Sequence, residues 1–124
     1  MERVEEFSLN GKKIIYIDFS GFKSKDDFFG QIKLVEPVIS KYPENSLYAI
    51  ANIENVRFDS DLKDITVKFL EHNKPYINSS VIIGIDGVKK ISANAVAKLS
   101  GRNNLSFAYS KEKAIERVLN TNRK

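Results

Sequence analysis

A dense run of β-branched and aromatic residues near the amino terminus limits the folds open to this chain. Residues 14–19 read IIYIDF and lie between Gly11 and Gly21, and a short run so rich in these residue types predicts a β-strand. Because the apolar positions are consecutive and do not alternate with polar ones, both faces of this strand should be buried. The chain should therefore fold around a sheet that is covered on both sides.

The rest of the chain alternates between strand-like and helix-like patterns. Residues 4–9 precede Asn10-Gly11, a pair that favours a tight hairpin turn, so they should form an antiparallel neighbour of the first run. Further buried strands are predicted at 47–53, 81–85 and 105–109, and helices at about 24–41, from 59 or 60 to 73, at 88–99, and after Ser110. The order β-β-α-β-α-β-α-β-α predicts an α/β fold, with a mostly parallel, four- to five-stranded mixed sheet, an antiparallel edge strand and flanking helices.

Two residues predict local features of the first helix. Ser24 stands where its hydroxyl can accept a hydrogen bond from an amide of the first turn. Pro37 lies inside the helical pattern and lacks an amide donor, so we expect a kink or a restart of the helix there.

Composition excludes several kinds of site. The 124 residues suit one domain, predicted over 1–120 with a flexible tail at 121–124, and they include no cysteine, which rules out disulfides and thiolate chemistry. His72 is the single histidine, so no metal site is predicted, and no cofactor is expected. Because no nucleophile elbow and no pair of carboxylates in apolar surroundings is visible, we do not expect an enzyme.

Charge and hydropathy bear on location and partners. The amino-terminal MERVEEF is acidic where a signal peptide is basic, and no apolar stretch approaches the roughly 20 residues of a membrane span, so we expect a cytoplasmic protein. Residues 1–85 hold 11 basic and 13 acidic side chains, whereas residues 86–124 hold 9 and 3. These basic residues are not interleaved with aromatic ones, which does not favour nucleic acid as a partner.

A candidate ligand site follows from the predicted topology, because open α/β sheets bind ligands beyond the carboxyl ends of their parallel strands. Asp18, Asn55 and Asp86 are predicted at those ends. Lys89 and Lys90 fall in the first turn of a predicted helix, where the dipole disfavours cations unless an anion compensates them. A small anionic ligand is one interpretation, and two solvated lysines are the other.

The element order, together with residues 51–70, resembles the STAS family of anti-anti-sigma factor domains, and more closely its SpoIIAA-like branch. In that family a strand leads into a loop with an Asp-Ser pair at the start of the next helix, and the serine is a phosphorylation switch in the sporulation regulators. Here the pair is Asp59-Ser60. Asp61 departs from the family, which has a second small residue at this position.

The resemblance implies a regulatory module without catalytic activity whose partner is another protein. A phosphate on Ser60 would be favoured by helix amides but repelled by Asp59 and Asp61, and a simple helix cap also explains the pair. The alternative is a carrier or sensor of a small lipid or anionic ligand, because lipid-transfer domains have a related fold. A carrier would need a large apolar cavity, lined by residues such as Phe28, Phe29, Phe69 and Tyr76.

Overall fold

A computed structural model describes residues 3–56, 60–84 and 105–120, apart from the side chains of residues 60 and 61. These parts of the chain form an α/β fold with a five-stranded sheet and three helices. In chain order the elements are β1 (Val4–Leu9), β2 (Lys12–Asp18), α1 (Lys25–Ile39), β3 (Leu47–Asn52), α2 (Ser60–Asn73), β4 (Ile77–Ile83), β5 (Leu105–Ala108) and α3 (Lys111–Leu119).

The five strands lie in the sheet in the same order as in the chain. β1 pairs with β2 in antiparallel register, and β2, β3, β4 and β5 are parallel neighbours. Asn10 and Gly11 join the first two strands with φ angles of 52° and 78°, the left-handed conformation that tight hairpin turns need. The mixed sheet and its antiparallel edge strand are therefore confirmed.

The residues of β2 contact two separate cores, one on each face of the sheet. Ile15 and Ile17 belong to the core that α1 and α2 cover, whereas Ile14 belongs to the core that α3 covers. All three side chains are buried. The prediction that this strand is buried on both faces is therefore confirmed, and the apolar run has its physical cause in these two layers.

α1 begins as predicted and passes its proline without a break. The Ser24 hydroxyl accepts a hydrogen bond from the Asp27 amide at 3.1 Å, which satisfies one of the orphan donors of the first turn. The helix continues through Pro37 to Ile39, so of the two expected outcomes the restart is wrong and the kink stays a prediction. Pro37 has no amide to donate to the carbonyl four residues earlier, so the helix passes this position with one hydrogen bond fewer.

β4 is longer than its apolar pattern predicted. It begins at Ile77, four residues before the predicted start at Val81, and includes Asn78, Ser79 and Ser80. Ser79 and Ser80 pair with Tyr48 and Ala49 of β3 through their backbones, and the register shifts at Asn78, so composition alone concealed this part of the strand. Residue 85 and the predicted helix at 88–99 lie outside the described residues, as does the predicted tail at 121–124.

α3 returns along the sheet from the carboxyl ends of the strands toward their amino ends. The Ser110 hydroxyl caps it by accepting from the Lys113 amide at 3.2 Å. At its other end, the Lys12 ammonium donates to the carbonyls of Val118 and Leu119 at 3.0 and 3.1 Å. A cation there suits the negative end of the helix dipole and satisfies orphan carbonyls.

Candidate functional site

Asp18, the first predicted ligand-binding residue, lies at the carboxyl end of β2 and holds the turn that follows. Its Oδ1 accepts a hydrogen bond from the Ser20 amide at 2.9 Å. The Arg3 guanidinium donates to the Ser20 carbonyl at 2.9 Å and lies 3.9 Å from Oδ1 of Asp18. The same guanidinium also lies 4.3 Å from the centre of the Phe22 ring. Asp18 is thus occupied by contacts within the chain.

At the end of β3, Asn52 and Asn55 shape the neighbouring turn. The side-chain oxygen of Asn52 accepts from the Glu54 amide at 3.0 Å, and its nitrogen donates to the Tyr16 hydroxyl at 3.1 Å. Asn55 is exposed and has a φ of 59°, a conformation that asparagine tolerates better than most residues. The structure shows Asn55 as a turn residue. Its role in ligand binding stays a prediction.

The loops after β2, β3 and β4 are fastened to each other. The Gly21 amide donates to the Glu54 carbonyl at 2.8 Å, and the Ile53 amide donates to the Ile83 carbonyl at 2.9 Å. Gly84 has a φ of 89°, and a Cβ placed on it would lie 2.6 Å from the Glu54 nitrogen. This edge of the sheet is therefore a closely packed rim. Only glycine at position 84 allows the loop after β4 to approach Glu54 in the loop after β3.

The other predicted site residues do not all fall within the described structure. Asp59, Asp86, Lys89 and Lys90 lie outside the described residues. Ser60 is the first residue of α2, one position after the one that a cap occupies. It lies at the helix start, as the switch hypothesis requires, but its side chain is not described, so both roles stay predictions. The structure therefore brings Asp18 and Asn55 to one edge of the sheet and leaves the anion hypothesis for the two lysines untested.

Neither a metal cluster nor a membrane span is present in the parts of the chain that the structure describes. Within 3–56, 60–84 and 105–120, no three His, Asp or Glu side chains converge as metal ligands would. No helix in these ranges has the length and apolar character needed to cross a membrane. His72 instead contacts its neighbour Asn73, with 2.9 Å between Nδ1 and Oδ1.

The aromatic residues beneath α1 and α2 pack against one another. Phe19 stacks on Phe28, with ring centroids 4.4 Å apart and an interplanar angle of 13°. Phe69 meets the Phe19 ring edge-on, with ring centroids 6.1 Å apart and an interplanar angle of 84°. All three are buried, whereas Phe29 points outward and is 46% exposed. Of the side chains predicted to line a carrier's cavity, Phe28 and Phe69 pack on Phe19. Tyr76 is partly buried against the same core, and Phe29 is at the surface.

Two open grooves flank α3. One groove, the β5–α3 groove, has a volume of about 710 Å³. It is lined by Ser106, Phe107, Ala108, Tyr109, Lys113, Glu116, Arg117 and Asn120. Tyr109 is 94% exposed, an unusual position for an aromatic side chain that could serve as an anchor for a partner.

A second groove, the β1–α3 groove, lies on the other side of the helix and measures about 630 Å³. Its walls carry Glu5, Phe7, Lys111 and Ile115. The Lys111 ammonium lies 2.6 Å from Oε1 of Glu5 and 4.3 Å from the centre of the Tyr16 ring. The charges of Glu5 and Lys111 are therefore paired with each other, and this pair attaches the first turn of α3 to β1.

Sequence reasoning missed both grooves because it placed the site at the strand ends. One signal for the β5–α3 groove was present, since Lys113, Arg117 and Asn120 recur at the spacing of one helix face. The sequence does not show which side of α3 is covered by the sheet. That depends on how the helix crosses strands that are distant in sequence.

The pKa of Tyr42 is raised above its ordinary value. Its hydroxyl donates to the Glu6 carboxylate of β1. This hydrogen bond, then burial, then the negative charge of Glu6 raise the pKa of Tyr42 to about 12. The bond ties the segment after α1 to the edge strand on the face opposite α3.

We expect the ultraviolet absorbance of one tyrosinate to appear only near pH 12, and Glu6→Gln to move that step toward the ordinary tyrosine pKa of about 10. Because the folded pKa lies above the unfolded one, the stabilisation by this group is complete below about pH 10 and is lost as the pH rises through about 12. The free energies of unfolding of the protein and of Tyr42→Phe, measured by urea denaturation, should therefore become equal as the pH rises over this range. A wild-type titration that Glu6→Gln leaves unchanged would contradict the assignment.

The chain matches no protein-family model and no curated protein. Its function is therefore inferred from the chemistry and geometry of the described residues.

Proposed function

We propose that this chain is a STAS-like regulatory module that acts in the cytoplasm by binding another protein and has no catalytic activity of its own. The observation that carries the proposal is the division of its surfaces. Among the described residues, the stacked rings of Phe19 and Phe28 fill space between the sheet and α1, whereas an open groove lies on each side of α3.

The rim of the sheet supports the same proposal. Polar groups that an enzyme would aim at a substrate are used here within the chain, since Asp18 holds the Ser20 amide and Asn52 holds the Glu54 amide. No polar group of these two side chains is poised in apolar surroundings, where acid or base catalysis would need it. The alternation of strands and helices is also compatible with the arrangement that the STAS resemblance implies.

The packing does not favour the carrier alternative. An apolar tail needs a cavity of several hundred cubic ångströms enclosed by apolar side chains. Phe28 and Phe69, which were predicted to line such a cavity, are both in contact with Phe19. A ligand tail could enter here only by displacing buried rings.

The test combines capture of partners from cell extract, reconstitution with the purified partner and native mass spectrometry of this protein. We expect a stoichiometric complex with a purified partner and no bound small molecule. A co-purifying lipid mass would support the carrier instead, and the failure of any captured protein to rebind after purification would contradict the module.

The same reconstituted complex tests the switch implied at Ser60. Ser60→Ala should lower the free energy of unfolding by about 1 kcal/mol or less if the residue acts only as a cap, and partner binding should be unchanged. Ser110→Ala is the matched control, because Ser110 caps α3 with an observed hydrogen bond. Loss of partner binding in Ser60→Ala alone, at a stability equal to that of the control, would assign Ser60 to regulation.

A further inference from the structure

The side of α1 that is turned away from the sheet is exposed and partly apolar. Of the four large apolar side chains that are exposed in the described chain, two lie on this helix. Phe29 is 46% exposed and Leu34 is 69% exposed. The chain is described without a gap from residue 3 to residue 56, a range that includes α1 and the segments on both sides of it. The exposure of this surface is therefore measured directly.

The exposed residues of α1 form a stripe along the helix. Four of them recur at intervals of four, three and four residues, which places them on the side opposite the buried residues of α1. They are Asp26, Gly30, Lys33 and Pro37. Phe29 flanks this stripe on one side and Leu34 flanks it on the other. We call these six residues the α1 outer face.

Gly30 lies in the middle of this face, where a helix does not need a glycine. Glycine in a helix interior lowers stability relative to alanine. A Cβ placed on Gly30 would have no atom within 4 Å, so packing within the chain does not explain the residue. The missing side chain does allow the backbone of another helix to come close. A helix that crosses α1 at Gly30 would give the glycine a physical reason.

The charges of α1 are arranged so that they complement a second copy of the same helix. Consider two copies packed antiparallel about a two-fold axis at Gly30. Lys33, three residues after the axis, then faces Asp26, four residues before it in the other copy, and Glu36 faces Lys25 in the same way. The two-fold axis repeats each of these pairs. A parallel arrangement would instead place like charges side by side, so the charge pattern selects the antiparallel one.

We propose that the α1 outer face is an interface between two copies of this chain, packed antiparallel about a two-fold axis that passes at Gly30. The axis brings like flanks together, so the two Phe29 rings meet beside it. The Lys33 ammonium lies 5.2 Å from the centre of the Phe29 ring, in position to reach a carboxylate of the other copy. The dimer goes beyond the proposed function, because no other protein takes part in it.

The size of the interface sets the expected affinity. α1 has 15 residues and is therefore about 22 Å long. Contact along one helix from each copy buries less than the roughly 800 Å² per partner of a standard interface. The dimer should therefore be weak and reversible, with a Kd between about 10 µM and 1 mM.

Sedimentation equilibrium of the purified chain over this concentration range tests the dimer. We expect a reversible equilibrium between monomer and dimer. Gly30→Leu should weaken it by about tenfold or more, although the variant adds an apolar side chain to the surface, because the new side chain blocks the crossing point. Leucine favours helix more than glycine does, so circular dichroism should show that the variant is folded.

Two charge-reversed variants test the arrangement of the two copies. Lys33→Glu and Asp26→Lys each place like charges across the axis twice, so each alone should weaken the dimer by about tenfold or more. An equimolar mixture of the two variants should form a heterodimer, since each introduced charge then faces its opposite. Within one chain the two positions lie about 10 Å apart along the helix, so this restoration reports contact between copies.

Lys113→Glu and Glu116→Lys are the matched controls. Both residues are exposed on α3, which covers the opposite face of the sheet from α1, and the variants make the same kinds of charge reversal. Each should dimerise as the unchanged protein does, and mixing them should change nothing.

Four results would overturn the proposal. They are a chain that stays monomeric at about 1 mM, a dimer that Gly30→Leu does not weaken, a mixture of the two α1 variants that sediments as its separate components, and equal losses in the α3 controls. A monomeric chain whose Gly30→Leu variant no longer binds a captured and purified protein would assign the α1 outer face to that protein and not to a second copy.

Discussion

Phe19→Ala is expected to lower the free energy of unfolding by about 3–5 kcal/mol. Phe19 is 2% exposed, and its ring stacks on Phe28 of α1 and meets Phe69 of α2 edge-on. The substitution removes a buried ring and leaves a cavity at the point where β2, α1 and α2 converge, which cannot collapse without moving two helices. Urea denaturation followed by circular dichroism measures the loss.

Phe29→Ala is the matched control, because the residue types are the same and only the burial differs. Phe29 is 46% exposed, and its ring is covered by the Lys33 ammonium at 5.2 Å. We expect a cost below about 1 kcal/mol. Similar losses in the two variants, or a small loss in Phe19→Ala, would mean that the aromatic cluster is loosely packed, as a ligand carrier would require.

Gly84→Ala is expected to cost about 3 kcal/mol, from two sources. A φ of 89° is a conformation that residues with a side chain adopt at a cost of about 1–3 kcal/mol. In addition, the new Cβ would lie 2.6 Å from both the nitrogen and Cγ of Glu54, and crowding against backbone in a packed region adds about 1–3 kcal/mol. Thermal and urea denaturation would measure the sum.

Two other glycines separate these sources. Gly21 has a φ of 76° and no atom within 4 Å of a Cβ placed on it, so Gly21→Ala should show the conformational cost alone. Gly30 lies within α1 with the same open space, so Gly30→Ala should stabilise the protein by roughly 0.5–1 kcal/mol. If Gly84→Ala cost no more than Gly21→Ala, the close approach of the two loops would be wrong.

Together these variants probe the two structural features on which the proposed function depends. Phe19 reports whether the face under α1 and α2 is closed to ligands, and Gly84 reports whether the strand ends form a packed rim. If both features hold, the two grooves beside α3 are the described surfaces that stay open to a partner. A partner would then meet the surfaces beside that helix.

Much of the fold followed from local patterns. The boundaries of β1 and the hairpin at Asn10-Gly11 were predicted correctly, because a turn that needs positive φ leaves a clear trace in residue type. Cap residues predicted the starts of two helices correctly, since Ser24 and Ser110 accept hydrogen bonds from first-turn amides. β4 was predicted too short because Ser79 and Ser80 pair with β3 through their backbones, which composition does not report.

The candidate site was less accessible to prediction. Asp18 and Asn55 were predicted from their place at the strand ends, and both lie there, but the sequence could not say that Asp18 would be used by the Ser20 amide. The β5–α3 groove was not predicted at all. Its walls come from a strand and a helix whose relative placement is set by contacts with residues far away in the chain.

The residue pattern alone therefore settled the class of architecture and the position of most of its elements, because burial on two faces demands apolar runs and helix ends demand particular caps. The tertiary structure decided which surfaces remain open. Lys12 lies more than 100 residues from the carbonyls of Val118 and Leu119 that it binds, and this contact helps to hold α3 across the sheet. Because such contacts join segments that are distant in sequence, a local sequence pattern cannot predict the grooves that they create.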